Sequence, residues 1–223
     1  MRAALFDMDG VLFNSMNNHA TAWCEAMKLY GMNMPREEAF MHEGRTGAST
    51  INIVSLRERG REATAEEIDA IYHAKTEIFN TLPRAQRMPG AYELLLKVRE
   101  SGIIPVIVTG SGQRSLLGRI NQSFPDIFTA ERMVTAFDVK RGKPDPEPYL
   151  MGLKKAGVKA EEAFVVENAP LGVKAAKAAG IYTVAVNTGP LPDEALLEQG
   201  ADKIYHSMPE FRDNWNIFIE SFK

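Results

Sequence analysis

Cysteine is almost missing from this sequence, and Cys24 is the single one among 223 residues. One cysteine cannot form an intramolecular disulfide, which is typical of proteins from a reducing compartment. Long apolar runs are missing too, since no stretch approaches the ~20 residues that a membrane-spanning helix needs. The first residues offer only "AALF" before the acidic "DMDG", which is too short for the core of a signal peptide. We therefore expect a cytoplasmic protein with no membrane partner.

The sequence also lacks a large excess of charge of either sign. Its 26 basic and 29 acidic residues give a net charge of −3, with an isoelectric point near 5.9. These values do not favour binding to nucleic acid, although they are compatible with a local cationic pocket for a small anion. A hydrophobic content of 45% is ordinary for a globular protein. The length allows either one domain with an insertion or two small domains.

Four short apolar runs, rich in residues that favour β-structure, predict buried strands of a parallel sheet. They lie at 3–6, 104–108, 163–166 and 182–186. Helix-length segments with apolar periodicity separate most of them, and three of these segments close on Gly102, Gly157 and Gly180. This alternation predicts an α/β fold with a doubly wound parallel sheet.

Residues 15–82 interrupt the alternation, because they contain helical patterns and no convincing strand. "HATAWCEAMKLYG" has the pattern of a helix, and "TAEEIDAIYHAKTEIF" is an amphipathic helix with Thr64 as its cap and Glu67 three residues later. We predict a core domain formed by residues 1–14 and 83–223, with 15–82 inserted as a helical domain. The alternative is a single continuous domain with extra helices.

Polar residues follow the predicted strands at four places. In "LFDMDGVL", Asp7 and Asp9 come at the end of the first strand, where paired carboxylates suit a divalent cation. Such a pair taken alone is more often part of a turn or a helix cap. In "VIVTGSGQ", the residues Thr109, Gly110, Ser111 and Gly112 could bind an anion through a hydroxyl and backbone N–H groups, or could form an ordinary glycine-rich turn.

The other two places contribute a cation and a carboxylate. In "RGKPDPEPY", Lys143 precedes a proline-rich turn that would fix its position, although most isolated lysines are surface residues. In "VVENAP", a strand ends in Glu167 and Asn168.

Taken in this order, the four segments resemble the haloacid dehalogenase-like superfamily of phosphohydrolases, over nearly the whole chain. The helical insertion is similar to the cap domain of the superfamily's β-phosphoglucomutase-like branch, and so is its segment "NNHATAW". Within this branch, the chain most resembles members that hydrolyse inorganic pyrophosphate, in the segments "MHEGRTGAST" and "ENAPLGV". The resemblance implies that Asp7 is the nucleophile, which forms an aspartyl-phosphate, and that Asp9 is the general acid and base. It also implies Mg²⁺ as cofactor and a phosphate site formed by Thr109, Gly110, Ser111 and Lys143.

Asn168 departs from the family pattern, in which a second acid ligates the metal. Its amide oxygen can still bind Mg²⁺, but the site loses a full charge. We predict that Glu43, in the cap loop "MHEGRTG", restores that charge, unless it is only the ion-pair partner of Arg45. Glu167 would bind the metal through water or orient the site. The predicted metal site therefore contains Asp7, Asp9, Asn168, Glu43 and Glu167.

Four cap residues are predicted on the substrate side of the site, and one of them is Glu43, which is also a predicted metal ligand. Arg45 and Lys75 would face the second phosphoryl group of pyrophosphate. An arginine suits this position because its guanidinium group is always charged and can donate to two phosphate oxygens at once. His19 would contact Asp9 or substrate, as its position in the branch suggests, or would only pack at the hinge.

The predicted function is a Mg²⁺-dependent inorganic pyrophosphatase that acts as a monomer on a small phosphorylated substrate. The alternative is a β-phosphoglucomutase or a sugar-phosphate phosphatase. A more remote alternative is a phosphate-binding module without turnover.

Overall fold

The computed structural model describes residues 1–111 and 116–222. Its centre is a six-stranded sheet in which all neighbouring strands are parallel, in the order β3-β2-β1-β4-β5-β6. The strands are β1 (Ala3–Phe6), β2 (Ile104–Val108), β3 (Met133–Val134), β4 (Ala163–Glu167), β5 (Tyr182–Val186) and β6 (Lys203–Tyr205). The strand order reverses on the two sides of β1, and ligands of such sheets bind beyond the carboxyl ends at that point.

Helices account for most of the remaining chain. They are α1 (Met16–Leu29), α2 (Arg36–Met41), α3 (Gly47–Arg59), α4 (Ala65–Thr81), α5 (Ala91–Glu100), α6 (Leu116–Ser123), α7 (Glu147–Ala156), α8 (Pro170–Ala178), α9 (Glu194–Leu197), α10 (Met208–Asp213) and α11 (Trp215–Glu220), with short 3₁₀ turns at Ala130–Arg132 and Ala160–Glu162. Among the residues that the structure describes, no helix is long and apolar enough to cross a membrane.

Both faces of the sheet are covered, as the apolar runs predict. Alternate residues of a strand point to opposite faces. Accordingly, Phe6 joins the apolar cluster beneath α5, α10 and α11, whereas Leu5 joins the cluster beneath α7 and α8. Two-sided burial explains why the central strands appear in the sequence as uninterrupted apolar runs.

The doubly wound α/β prediction is confirmed, and the edge strands β3 and β6 are additions to it. Both are very short, with Met133–Val134 in one and Lys203–Tyr205 in the other. Lys203 is exposed. An edge strand pairs on one side only, so it needs neither the length nor the continuous apolar character of a central strand.

The inserted segment packs as four helices, α1–α4, around a small core of its own. This core is rich in methionine and includes Met16, Met27 and Ile71. Helix α4 begins with the predicted capping box, in which the Thr64 side chain accepts from the backbone N–H of Glu67 and the Glu67 carboxylate accepts from the N–H of Thr64. Residues 15–82 remain our predicted limits for the cap domain.

Two connecting segments join the cap to the sheet domain. They lie side by side, because the N–H of Asn14 donates to the carbonyl of Gln86 (3.0 Å) and the N–H of Met88 donates to that of Leu12 (2.8 Å). The cap loop 42–46, between α2 and α3, lies over the carboxyl ends of the central strands, where Gly44 approaches Lys143.

Candidate active site

The loop after β1 positions the two aspartates. The N–H of Asp7 donates to the carbonyl of Val166 on β4, which continues the strand pairing by one residue. Gly10 then turns the chain with a φ of +85°, a conformation that favours glycine. A Cβ at Gly10 would lie 2.1 Å from Nδ2 of Asn168, so the close approach of these two loops also requires glycine. Asp7 is 6% exposed.

Lys143 is at the centre of a buried ion-pair network. Its Nζ lies 2.5 Å from Oδ1 of Asp7 and 2.6 Å from Oε1 of Glu167, and it also donates to the carbonyl of Val108 (3.2 Å). The lysine itself is only 3% exposed, so the alternative of a surface residue is wrong. The attraction of the two carboxylates outweighs the effect of burial and raises the pKa of Lys143.

Both oxygens of Glu167 are occupied by protein donors. Oε1 accepts from Lys143 and from the Tyr149 hydroxyl (2.8 Å), and Oε2 accepts from the N–H groups of Asn168 (2.9 Å) and Ala169 (3.0 Å). This geometry does not agree with Glu167 as a metal ligand. It supports the other predicted role, in which Glu167 orients the site by fixing Lys143.

The cap loop reaches Asn168 through Glu43. Nδ2 of Asn168 donates to Oε2 of Glu43 (3.0 Å). The remaining oxygens, Oε1 of Glu43 and Oδ1 of Asn168, are buried without a hydrogen-bond partner. No ion pair joins Glu43 to Arg45 among the described residues, so the alternative that Glu43 merely neutralises Arg45 does not agree with the structure. Burial and the nearby charge of Asp7 raise the pKa of Glu43 well above its usual range.

His19 connects Asp9 to the cap. Its Nε2 lies 3.3 Å from Oδ1 of Asp9, its Nδ1 lies 3.0 Å from Nζ of Lys75, and its ring stacks on Phe79. A protonated Lys75 can only donate, so Nδ1 accepts and Nε2 carries the proton that faces Asp9. Ser15 donates to the same Asp9 oxygen (2.5 Å). Asp9 is thus oriented by two donors.

Three of the four predicted phosphate-binding residues open onto one cavity with both aspartates, whereas Lys143 contacts Asp7 but does not line this cavity. Its volume is about 100 Å³, and Thr109, Gly110 and Ser111 form part of its core wall. The Thr109 hydroxyl oxygen accepts from the N–H of Ser111 (3.0 Å), which orders this turn. Gly112, the fourth residue of the predicted anion site, lies outside the described residues.

The cap wall of the same cavity is cationic and aromatic. Arg45 and Lys75 line it, and Nε of Arg45 is buried without a partner. Burial lowers the pKa of Lys75 to about 8. The rings of Trp23 and Tyr72 and the imidazole of His42 complete the wall. All predicted substrate residues therefore face this cavity, together with three that the sequence argument missed.

The protein's own groups push the pKa values of the two aspartates far apart. Burial raises the pKa of Asp7 to about 8, even though Lys143 opposes the shift. Burial also tends to raise the pKa of Asp9. The contacts of Asp9 with His19 and Ser15 outweigh this effect and lower its pKa to about 2. Catalysis requires the opposite order, with Asp7 ionised and Asp9 protonated. A cation beside Asp7 and a phosphate oxygen beside Asp9 would each shift the pKa in the required direction.

The donor set at this edge of the sheet fits a small divalent cation. No three His, Cys, Asp or Glu side chains are grouped for a metal within residues 1–111 and 116–222. However, Glu43 and Asn168 each present a buried oxygen without a partner, close to the carboxylates of Asp7 and Asp9. Oxygen ligands of this kind are those that Mg²⁺ prefers. Asp7, Asp9, Asn168 and Glu43 are thus candidate ligands.

Ser15 and Tyr149 also belong to the site, and sequence reasoning missed them. Ser15 lies just before α1, where a serine is expected to cap the helix, but it makes no such bond and donates to Asp9 instead. Tyr149 is fully buried, and its partner Glu167 is 18 residues away in the sequence. Neither contact has a local sequence signal.

This chain is similar to known phosphatases over nearly its whole length. A family model described as a haloacid dehalogenase-like hydrolase matches residues 1–180. Hexitol phosphatase A of Escherichia coli is 32% identical, over 97% of both chains. Validoxylamine A 7'-phosphate phosphatase of Streptomyces hygroscopicus subsp. limoneus is 31% identical, over 95% of this chain and 96% of the relative. A solved structure from Bacteroides vulgatus, provisionally named a beta-phosphoglucomutase, is 62% identical with a TM-score of 0.97, over 100% of this chain and 90% of that one.

Proposed function

This chain belongs to the haloacid dehalogenase-like hydrolases and is a phosphatase, and we propose that it hydrolyses inorganic pyrophosphate through an aspartyl-phosphate on Asp7. A carboxylate oxygen of Asp7 attacks one phosphorus atom, and the bond from that phosphorus to the bridging oxygen breaks. The departing phosphate takes a proton from Asp9. Asp9 then removes a proton from water, which attacks the aspartyl-phosphate and releases the second phosphate.

Several groups stabilise the charge that develops in these steps. Lys143 is fixed beside Asp7, and Thr109 lines the cavity that contains Asp7. Mg²⁺, held by Asp7, Asp9, Asn168 and Glu43, would neutralise charge on the transferred phosphoryl group. His19 and Ser15 orient Asp9 in both steps.

The observation that carries the choice of pyrophosphate is the contact between Glu43 and Asn168. It joins the cap to the catalytic edge of the sheet, and the cap loop lies so close that a Cβ at Gly44 would be 3.0 Å from Cδ of Lys143. The cavity, of about 100 Å³, suits a small substrate. Arg45 and Lys75 on its cap wall suit a second phosphoryl group.

The second candidate substrate is a sugar phosphate. Trp23 and Tyr72 line the cavity, and aromatic rings are large apolar surfaces on which a sugar could pack. The names of the two curated relatives refer to phosphorylated hexitols and to validoxylamine A 7'-phosphate. An isomerase would keep the same nucleophile but would have to protect its aspartyl-phosphate from water.

We expect pyrophosphate to give the highest kcat/KM in a panel that also contains hexose and hexitol phosphates, with Mg²⁺ present. The physical reason is that the cavity is small and that Arg45 and Lys75 on its cap wall suit a second phosphoryl group. Steady phosphate release distinguishes hydrolysis from isomerisation. A hexose or hexitol phosphate with a higher kcat/KM than pyrophosphate would overturn the choice of substrate, although not the phosphatase mechanism.

We also expect Glu43→Ala to raise the Mg²⁺ concentration required by about tenfold or more and to reduce pyrophosphate hydrolysis severely. Stability should hardly change, because a buried carboxylate with an unpaired oxygen contributes little to folding. Asn168→Asp in the same background should recover part of the Mg²⁺ affinity, since it returns the missing charge to the site. The two effects should therefore not be additive.

Mg²⁺ titration by calorimetry across the four proteins of this cycle measures the coupling directly. Glu77→Ala is the matched control, because Glu77 is an exposed cap acid outside the cavity. Strictly additive changes, or an unaltered Mg²⁺ affinity in Glu43→Ala, would show that Glu43 does not supply the charge that Asn168 lacks.

A further inference from the structure

Gly47 is the first residue of α3, and it lines the cavity of about 100 Å³ that contains Asp7 and Asp9, hereafter the substrate cavity. Its backbone has no positive φ, so a residue with a side chain fits this conformation without strain. Alanine also favours a helix more than glycine does, because glycine loses more conformational freedom on folding. The helix therefore does not explain why this position is a glycine.

The ring of Tyr72, which belongs to α4, does explain the glycine. A Cβ at Gly47 would lie 2.3 Å from Cδ2 and 2.4 Å from Cε2 of that ring, and the next nearest atom, at 3.3 Å, belongs to the same ring. Carbon atoms that are not bonded to one another make favourable contacts at about 3.5–4.0 Å. The ring thus lies against the backbone of the first turn of α3, in a place that is open only because Gly47 has no side chain.

The position of this ring determines the shape of the cap wall. Tyr72 lines the substrate cavity next to Trp23 and Lys75, and its ring centroid lies 6.3 Å from that of Trp23 and 5.9 Å from Nζ of Lys75. The ring therefore occupies the space between these two residues and the first turn of α3. Because the cavity measures only about 100 Å³, one aromatic ring takes up much of the space that a substrate could otherwise use.

Tyr72 can move without disturbing the core of the cap. It is 41% exposed, whereas the buried residues of α4 are Ile71 and Lys75. Loss of its contact with Gly47 should therefore change the shape of the substrate cavity and hardly change the stability of the cap.

We propose that Gly47 determines substrate specificity through Tyr72: the glycine lets the ring lie on the cap wall, and the ring excludes leaving groups larger than a second phosphoryl group. The inference rests on the proposed function, because it names the residues that keep the cavity small enough to favour pyrophosphate. It opposes the alternative in which a sugar packs on Tyr72. A barrier predicts that removal of the ring helps a large substrate, whereas a packing surface predicts that removal of the ring harms it.

The first test compares two phosphate monoesters of different size, methyl phosphate and sorbitol 6-phosphate, with Mg²⁺ present. Tyr72→Ala should raise the ratio of kcat/KM for sorbitol 6-phosphate to that for methyl phosphate by about tenfold, the scale on which a single pocket contact changes specificity. Tyr72→Phe keeps the ring and loses only the hydroxyl, so it should keep the wild-type ratio. A lower ratio in Tyr72→Ala would show that the sugar packs on the ring, and would overturn the proposal.

The second test examines whether Gly47 acts through Tyr72. Gly47→Ala should raise the same ratio, because the new methyl group displaces the ring, and an exposed side chain moves more easily than the backbone of a helix. In the Tyr72→Ala background, Gly47→Ala should have no further effect, since the ring on which it acts is gone. Gly118→Ala, on α6 and outside the cavity, is the matched control, because a Cβ there would meet nothing within 4 Å.

The control should keep the wild-type ratio, and thermal unfolding checks that every variant folds. The proposal is wrong if folded Gly47→Ala keeps the wild-type ratio, or if it changes the ratio equally with and without the Tyr72 ring. The two monoesters make this result independent of the choice of pyrophosphate. A wild-type enzyme that hydrolyses both monoesters but not pyrophosphate would instead overturn the proposed substrate.

Discussion

Asp7→Asn should reduce turnover by at least about 10⁴-fold, because an amide neither attacks phosphorus nor supplies charge to a cation. The variant should fold, since asparagine has nearly the volume of aspartate. Asp7 already has a pKa raised by burial to about 8, so the protein tolerates a neutral group at this position. Phosphate release measures the loss, and thermal unfolding checks the fold.

Two further variants make this result specific. Asp9→Asn should be nearly as damaging, because protonation of the leaving group and activation of water both depend on Asp9. Asp69→Asn, an exposed aspartate of α4, makes the same chemical change away from the cavity and should leave the rate unaltered. Mass spectrometry after rapid acid quenching should detect a phosphorylated Asp7 in the wild type and not in Asp7→Asn. Substantial turnover by folded Asp7→Asn would exclude the covalent mechanism.

The convergence of Asp7, Thr109 and Glu167 could be predicted from the sequence because each follows a central parallel strand. The carboxyl ends of such strands meet at one edge of the sheet, so residues far apart in the chain become neighbours. The central strands could also be recognised, because their apolar runs of four or five residues are too short for most helices and are rich in residues that favour β-structure. The edge strands β3 and β6 carry no such signal.

The roles of Glu167 and Asn168 could not be separated in the same way. They are adjacent at the end of β4, and a sequence does not show which of two neighbouring polar side chains points toward Lys143 and which points toward the cap. That orientation depends on Tyr149 and on the backbone N–H groups that hold Glu167. The pairing of Asn168 with Glu43 follows from the charge that Asn168 lacks relative to the family pattern, together with the position of the cap loop that the same resemblance implies.

Replacement of Lys143 should have a large effect on both the rate and the stability of the protein. Lys143→Met should lower the rate by about 10²–10³-fold, because a fixed positive charge beside the transferred phosphoryl group is lost. The variant should also be destabilised, by about 3–5 kcal/mol, since Asp7 and Glu167 lose the buried partner that they share. Loss of stability alone could reduce activity, so the two effects have to be separated.

The double variant Lys143→Met with Glu167→Gln separates them. It removes one of the two carboxylates that Lys143 neutralises, but the single carbonyl oxygen of the glutamine cannot serve both the Tyr149 hydroxyl and the N–H groups of Asn168 and Ala169, so thermal stability should return only in part. Activity should not return, because no other cation lies as close to Asp7 in the part of the chain that the structure describes. Lys154→Ala, at an exposed position on α7, is the control for the loss of a lysine. If activity recovers together with stability in the double variant, Lys143 only supports the fold, and the charge that stabilises the transferred phosphoryl group must come from Arg45 or from the cation.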